Sequence, residues 1–418
     1  MFGILYKITV TIALVCMVQG YMYAQNQKKN TKLLPKLLKK DKMYDSIAGK
    51  NDAFGIQIIY TQINRGKNGV NFVDYYFNID NNRYFYPSNT VFLPVAALTL
   101  EKITELSKDY DLDKHRYVRI DDAVTQEIIA YQDTSLTDNY ASFAHFIKKM
   151  FNAGDKMSFN FCYDFLNQRY LNERMHSLGY RNSWFLHKLD NKAPENSRQS
   201  NTVTFFRTDV RSYYIDIIYL KRHPTTIPFY SIYVKKGEYN TDDYYSGRAK
   251  VLLPGKKLVK NGNIVDSTAN FTYGNEFPIE DMHRFMKSLV FPELHGNRLS
   301  LSDDDYAFLF KLMGENNSFN YIMNDKLYDS SIKIFNNSGK DAGFLIDNAY
   351  VIDTKNGVDF FLSIVIKCNS ADIQGEEYFE YEKTGMSFMK KISNIIHEHA
   401  INHKKNTGNF TEFLKRTE

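Results

Sequence analysis

The side chains able to do chemistry are scattered, and most of their clusters have a plain structural explanation. His397-Glu398-His399 and His403 put two imidazoles, His399 and His403, on one helical face, a spacing that can bind zinc. A solvated face of a C-terminal helix explains the same residues better, so no metal and no cofactor is expected. Cys162 and Cys368 are too far apart in sequence to imply a bridge, and buried free thiols are expected. Asp303-Asp304-Asp305 is a candidate cation cluster, yet Ser302 before it reads as an N-cap, with carboxylates favoured in a helix's first turn. Glu195 stands alone in a loop. What remains are short groups of hydroxyls and amides. Among them are Ser88-Asn89-Thr90 ahead of an apolar run, Ser158-Phe159-Asn160 in a helical stretch, and Asn337-Ser338-Gly339-Lys340 between two strand patterns, groups that gain meaning only by resemblance.

These groups must be positioned by a large fold. The chain has 418 residues, 43% hydrophobic and 24% charged, which suits one large domain or two interleaved ones. Thirty-one Tyr and 31 Phe against one Trp point to aromatic packing on strands and in the core. A net charge of +5 without a concentrated basic stripe argues against nucleic-acid binding. Ile56, Ile58 and Tyr60 alternate as a strand, 64–69 reads as a turn, and Val70–Ile79 returns. An apolar helix is expected over Val91–Leu106. Helical spacing recurs in Ile128–Tyr131, Phe143–Phe151, Phe159–Leu171 and Glu173–Leu178, then in Pro278–Leu289 and Asp303–Leu312. Residues 202–275 read as a mixed insertion. Ile332–Phe335, Gly343–Ile352 and Val358–Ile366 read as a meander with a turn at Asn356-Gly357, closed by a helix over Met386–His399.

The order of these elements predicts an α/β (α+β) fold with one antiparallel sheet drawn from both chain ends and a helical lobe between them. The expected division is a sheet lobe from 53–87 and 331–418 and a helical lobe over 88–330. Residues 1–24 read as a signal peptide: Lys7, a short apolar run from Ile8 to Val18, and a cleavage site after Ala24. Export to the periplasm or beyond the cell follows, with a lipid anchor at Cys16 the minor alternative because Val15 is bulky for that site. Residues 25–52 read as a tether or a helix laid against the body, and no later segment reads as transmembrane.

Taken in order, the motifs resemble those of the class A β-lactamase-like serine hydrolases, an exported bacterial family. Tyr86-Pro87-Ser88-Asn89-Thr90-Val91-Phe92-Leu93-Pro94 resembles the stretch that holds the family's Ser-x-x-Lys signature. Ser158-Phe159-Asn160 falls where the family has Ser-Asp-Asn, and Ser177-Leu178-Gly179-Tyr180 ends the following helical text as the family does. Pro194-Glu195-Asn196 to Ser200-Asn201 resembles its acidic loop. Asn337-Ser338-Gly339 falls at its Lys-Thr-Gly, whereas the literal Lys383-Thr384-Gly385 lies beyond the last strand and reads as a loop. The resemblance spans about 54 to 400.

The departures are chemical. The resemblance puts the nucleophile at Asn89 and the lysine at Phe92, and such a nucleophile needs a hydroxyl with a proton acceptor one turn on. Phe159 replaces the aspartate of the second motif and Asn337 the lysine of the third. Groups of this kind act as a unit, so a catalytically inactive homologue is expected. The alternative is an active hydrolase with a non-standard nucleophile, in which Glu195 would be the retained base. Ser88 and Thr90 are turned away from Asn89 by about 100° per helical residue. What the resemblance leaves intact is a cleft for an anionic or peptide-like ligand, such as a cell-wall peptide or a β-lactam. It would be lined by Asn89, Ser158, Asn160, Ser338, Gly339 and Lys340, with backbone N–H groups of Asn89 and Lys340 as oxyanion donors. The opposite expectation is a collapsed cleft, with function on another surface.

Overall fold

A computed structural model describes residues 29–40, 47, 51–66, 69–133, 140–190, 199–206, 231–238, 256–269, 271, 274–315, 320–322, 329–405, 408 and 410–417. The expected signal peptide, Cys16 and Glu195 lie outside the described residues.

The N-terminal hairpin is β1 (Gln57–Gly66) and β2 (Gly69–Phe77). Four short strands, β3 (Val118–Asp121), β4 (Ile128–Ala130), β5 (Thr202–Phe206) and β6 (Ser231–Lys235), make a separate sheet in the middle of the chain. Ile128–Tyr131, expected as helix, is therefore partly strand: three residues paired to β3 fix its conformation, and a run that short has no helical periodicity to oppose them. Strands β7 (Lys257–Lys260) and β8 (Asn263–Val265) pair with each other. The C-terminal meander is β9 (Ile332–Asp341), β10 (Phe344–Asp353) and β11 (Val358–Lys367). The main sheet runs β2-β1-β11-β10-β9, with every neighbouring pair antiparallel, so both chain ends build it as expected. Ala342 and Gly343, at φ 51° and 80°, turn β9 into β10 in two residues. That left-handed pair is what a tight hairpin turn requires.

Alternation sends each strand's residues to two cores. Ile59, Ile63, Phe361 and Val365 face the helical lobe; Ile58, Tyr60, Phe360, Leu362 and Ile364 face the other way. Slipping a strand by one residue would exchange the two sets, so the register is strongly specified. The far core is covered by α1 (Leu33–Leu38), whose Leu34, Leu37 and Leu38 are buried, which makes it a helix laid on the body.

On the near face lies α2 (Phe92–Leu106), buried along most of its length and hence apolar nearly all round. Its buried Glu101 is satisfied by Arg174 at 2.7 and 2.8 Å and by the Ser300 N–H. Around it pack α3 (Phe143–Ala153), α4 (Lys156–Leu166) and α5 (Gln168–Ser177). The expected Phe159–Leu171 helix breaks at Asn167, where φ is 63° and the side chain caps α5. Helix α6 (Ile279–Val290) lies on the sheet, and α7 (Asp303–Glu315) starts at Ser302, which caps Asp305 as expected. Helix α8 (Ser387–Asn402) covers the far core. Its histidines are buried on that core, not solvated: His397 meets Asp353 at 2.7 Å, and burial pushes His399 down to about 4. Among the described residues no group of three potential ligands converges on a metal position. Cys162 and Cys368 are free and sit in opposite cores. Lys383-Thr384-Gly385 forms a wide helical turn before α8, on the far side of the sheet from α2.

Candidate functional site

Of the positions singled out in the sequence, Asn89, Phe92, Asn337 and Ser338 line one small cavity at the seam between β9 and the start of α2. A single turn of 3-10 helix, Ser88–Val91, leads into α2. Ser88 is held at φ 50°, which costs a non-glycine residue about 1 kcal/mol or more. Thr90 spends its hydroxyl on the Pro87 carbonyl at 2.6 Å. Ser88 Oγ and Asn89 Oδ1 are buried without a hydrogen-bond partner among the described residues.

Phe92 and Phe159, the positions where the resemblance puts a lysine and an aspartate, meet each other. Their ring centroids are 5.7 Å apart at 33°, and Phe159 continues to Tyr163 at 5.9 Å. Replacing one charge alone would strand the other in the core, whereas two rings pack.

The remaining polar groups are also occupied. Asp155 caps α4, accepting the N–H groups of Met157 and Ser158, and it takes the Ser158 hydroxyl proton at 2.5 Å. The resemblance had that hydroxyl facing the cleft; the cap holds it instead, with Ser158 only 1% exposed. Asn160 clamps the Leu189 backbone at both its N–H and its carbonyl, at 2.8 and 3.0 Å. Asn337 donates to the Thr90 carbonyl at 2.6 Å, stitching β9 to the turn. A Cβ on Gly339 would come within 2.9 Å of the Pro87 carbonyl and 3.0 Å of Ser88, so glycine is what allows this close approach. Ser338 lines the same small cavity as Asn89 and Asn337, whereas Lys340 lies on the other face. The Lys340 ammonium lies over the Tyr381 ring at 5.5 Å and adds no charge near Asn89, contrary to expectation.

What is left between Asn89, Phe92, Phe151 and Asn337 is a cavity of about 20 Å³. That holds about one water. A larger opening, about 790 Å³, lies beside it, with Gly154 common to both. Asn160 faces this opening, and so do lysines paired with aspartates: Lys156 with Asp190 at 2.8 Å, and Lys188 with Asp164 at 2.7 Å. Burial pushes the Asp164 carboxyl up to about 6 against the pull of Lys188, and pushes the neighbouring Lys235 down to about 8. Lys235 donates to the Asp164 and Phe165 carbonyls at the end of α4, a favourable place for a cation.

Sequence reasoning missed Asp155, which decides where the Ser158 proton goes. The signal was available, since Asp three residues before Ser at a helix start is an N-cap pattern. It also missed Met150, Phe151 and Gly154, which close the small cavity from the end of α3; their partners lie far away in sequence.

An antiparallel sheet from both chain ends, backed by a helical lobe with a three-motif seam between them, defines a β-lactamase/transpeptidase-like fold. The pattern of the Beta-lactamase enzyme family matches residues 40–208, so the resemblance read from the sequence stands on that stretch. It covers Asn89, Phe92, Ser158 and Asn160 and ends before Asn337. Among solved structures, the chromosome-encoded beta-lactamase of Vibrio parahaemolyticus is similar at 13% identity and a TM-score of 0.46, over 86% of this chain and 98% of that one. A mutant of PBP-A, an acyl-enzyme complex with penicillin G, is similar at 10% identity and a TM-score of 0.48, over 89% and 98%. A beta-lactamase from Sphaerobacter thermophilus is similar at 9% identity and a TM-score of 0.46, over 86% and 96%. No curated protein matches.

Proposed function

We propose that this chain is an exported, non-catalytic homologue of the β-lactamase-like serine hydrolases, in which the family's reaction centre has become a packing contact. The observation that carries the reading is the Phe92–Phe159 ring pair, with about 20 Å³ of space left beside Asn89. An amide and a phenyl ring offer neither a nucleophile nor a proton acceptor. Ser158, the nearest hydroxyl in the second motif, gives its proton to a capping carboxylate rather than to a base facing a substrate. A cell-wall peptide or β-lactam finds no room in the cavity at this seam. Export rests on the charge and apolar pattern of residues 1–24, and no described helix is long and apolar enough to cross a membrane.

The test is intact-mass spectrometry after incubation with a penicillin and, separately, with a fluorophosphonate. No adduct is expected on the natural chain. The triple variant Asn89→Ser, Phe92→Lys, Phe159→Asp is the companion, because it restores the nucleophile and both charges together. A stoichiometric adduct on the natural chain overturns the proposal, and the labelled residue identifies the nucleophile. Calorimetric binding of a peptidoglycan fragment that Phe151→Ala strengthens would return the ligand to the seam.

A further inference from the structure

Helix α6 is tied to the main sheet by a buried polar relay that uses none of the family positions. His283 stands at its centre. Its Nε2 is 2.6 Å from the Thr61 hydroxyl on β1, and its Nδ1 is 2.7 Å from the Ser363 hydroxyl on β11. Each hydroxyl has one proton to give, and both protons are already committed. Thr61 donates to Asp74 on β2, which Lys287 holds as a carboxylate at 2.9 and 3.2 Å. Burial opposes that charge, but the pull of Lys287 prevails and keeps the Asp74 pKa below its usual value. At the other end Ser363 donates to Asn348 Oδ1 at 2.7 Å. The Asn348 amide cannot be turned round without loss, because its Nδ2 donates to the Met282 carbonyl at 3.1 Å, and a carbonyl only accepts.

With both hydroxyl protons directed outward, each hydroxyl can only accept from the ring, so both ring nitrogens must donate. A neutral imidazole would set a bare nitrogen lone pair against an oxygen lone pair at hydrogen-bond distance. We infer that His283 is carried as a buried imidazolium, the proton-dependent link between Asp74–Thr61 and Ser363–Asn348 that fastens α6 to the sheet. The charged groups facing the ring are Asp74 from β2 and Lys287 from its own helix. Strands β1, β10 and β11 bring the neutral Thr61, Asn348 and Ser363, and Phe361 lies edge-on at 5.9 Å. Burial first and Lys287 second oppose the charge, and they push the imidazole down to about 3 even with Asp74 pulling the other way. Two charge-assisted hydrogen bonds, each roughly twice as strong as a neutral one, and the avoided lone-pair contact outweigh that penalty.

The consequence is a pH-sensitive fastening. A histidine that binds its proton more tightly folded than unfolded adds stability fully present in acid and lost as pH rises through its folded pKa. Helix α6 also holds the helical lobe, through Ser183 to Asp281 and Tyr180 to Ser288, each at 2.8 Å. Loss of the proton would therefore loosen the tie between lobe and sheet.

Histidine side-chain nitrogen NMR on the whole chain, from about pH 5 to about pH 9, decides the matter. The expected result is that both His283 nitrogens carry protons at neutral pH. In Ser363→Ala, which leaves Nδ1 without an acceptor, the ring should release its proton at least about tenfold more readily, a midpoint lower by one unit or more. A single-tautomer neutral ring at pH 6 in the natural chain overturns the inference. So does a titration that Ser363→Ala leaves unmoved.

Discussion

Two seams join helices to the same sheet, and their chemistry is the reverse of what an enzyme of this fold would need. At the β9 seam, where the family resemblance puts reacting groups, the contacts are two phenyl rings, neutral amides and a glycine. At the α6 seam a carboxylate, an ammonium, an imidazole and two hydroxyls are linked in one chain. Ionisable side chains in a row do not make a site. Both seams are closed, the ionic one under α6 and the other by two rings with about 20 Å³ left beside them.

The comparison can be broken most directly at Phe159. Phe159→Asp buries a carboxylate against Phe92 with no cation to meet it, so unfolding in urea should show a loss of about 4 kcal/mol. Adding Phe92→Lys should recover part of that loss. A double variant no better than the sum of its singles would mean that the two rings are not a coupled replacement of a charge pair.

On the far face of the sheet, Asp347 sharpens the same point. Fully buried, its carboxyl is pushed by desolvation from 3.8 up to about 7, although Asn336, Tyr321 and Ile322 all donate to it. For a carboxyl raised in the folded state, the stabilising contribution is fully present below the unfolded value and is lost as pH rises through about 7. Between pH 5 and pH 8 the natural chain should lose on the order of 3 kcal/mol through this group, and Asp347→Asn should lose less. A variant whose pH dependence is just as steep would refute the assignment. Gly339→Ala comes next: a methyl against the Pro87 carbonyl should cost about 2 kcal/mol, and an unchanged melting curve would mean the seam is looser than described. Smallest is Asn337→Ala, which removes one bond to Thr90 and should cost about 1 kcal/mol.

Much of this was legible from local pattern. The β1–β2 hairpin, the C-terminal meander and α2 announce themselves by period and by turn residues, whereas Asn89, Phe92 and Asn337 were singled out by the family resemblance alone. What was not legible depends on partners distant in sequence. The three residues of β4 have too short a pattern to distinguish strand from helix, so pairing with β3 decides. The face of β9 to which Lys340 belongs is set by register, because a strand's side chains alternate and a lysine fits either face at an edge. His397 and His399 look like surface residues until the sheet beneath α8 supplies Asp353 and a core. The closing of the small cavity needed α3 (Phe143–Ala153), which is distant in sequence from the 88–91 turn that it covers.

The glycine that brings β9 against Pro87 has another effect, unconnected with any reaction. β9 is the outermost strand on its side, and a bare outer strand offers its backbone to any passing chain. Here Asn337 and the 88–91 turn lie along that border, while on the opposite border the Asn30 carbonyl accepts the Tyr76 N–H of β2. The close fit between β9 and the 88–91 turn thus serves as a guard rail, keeping the sheet from growing by one more strand.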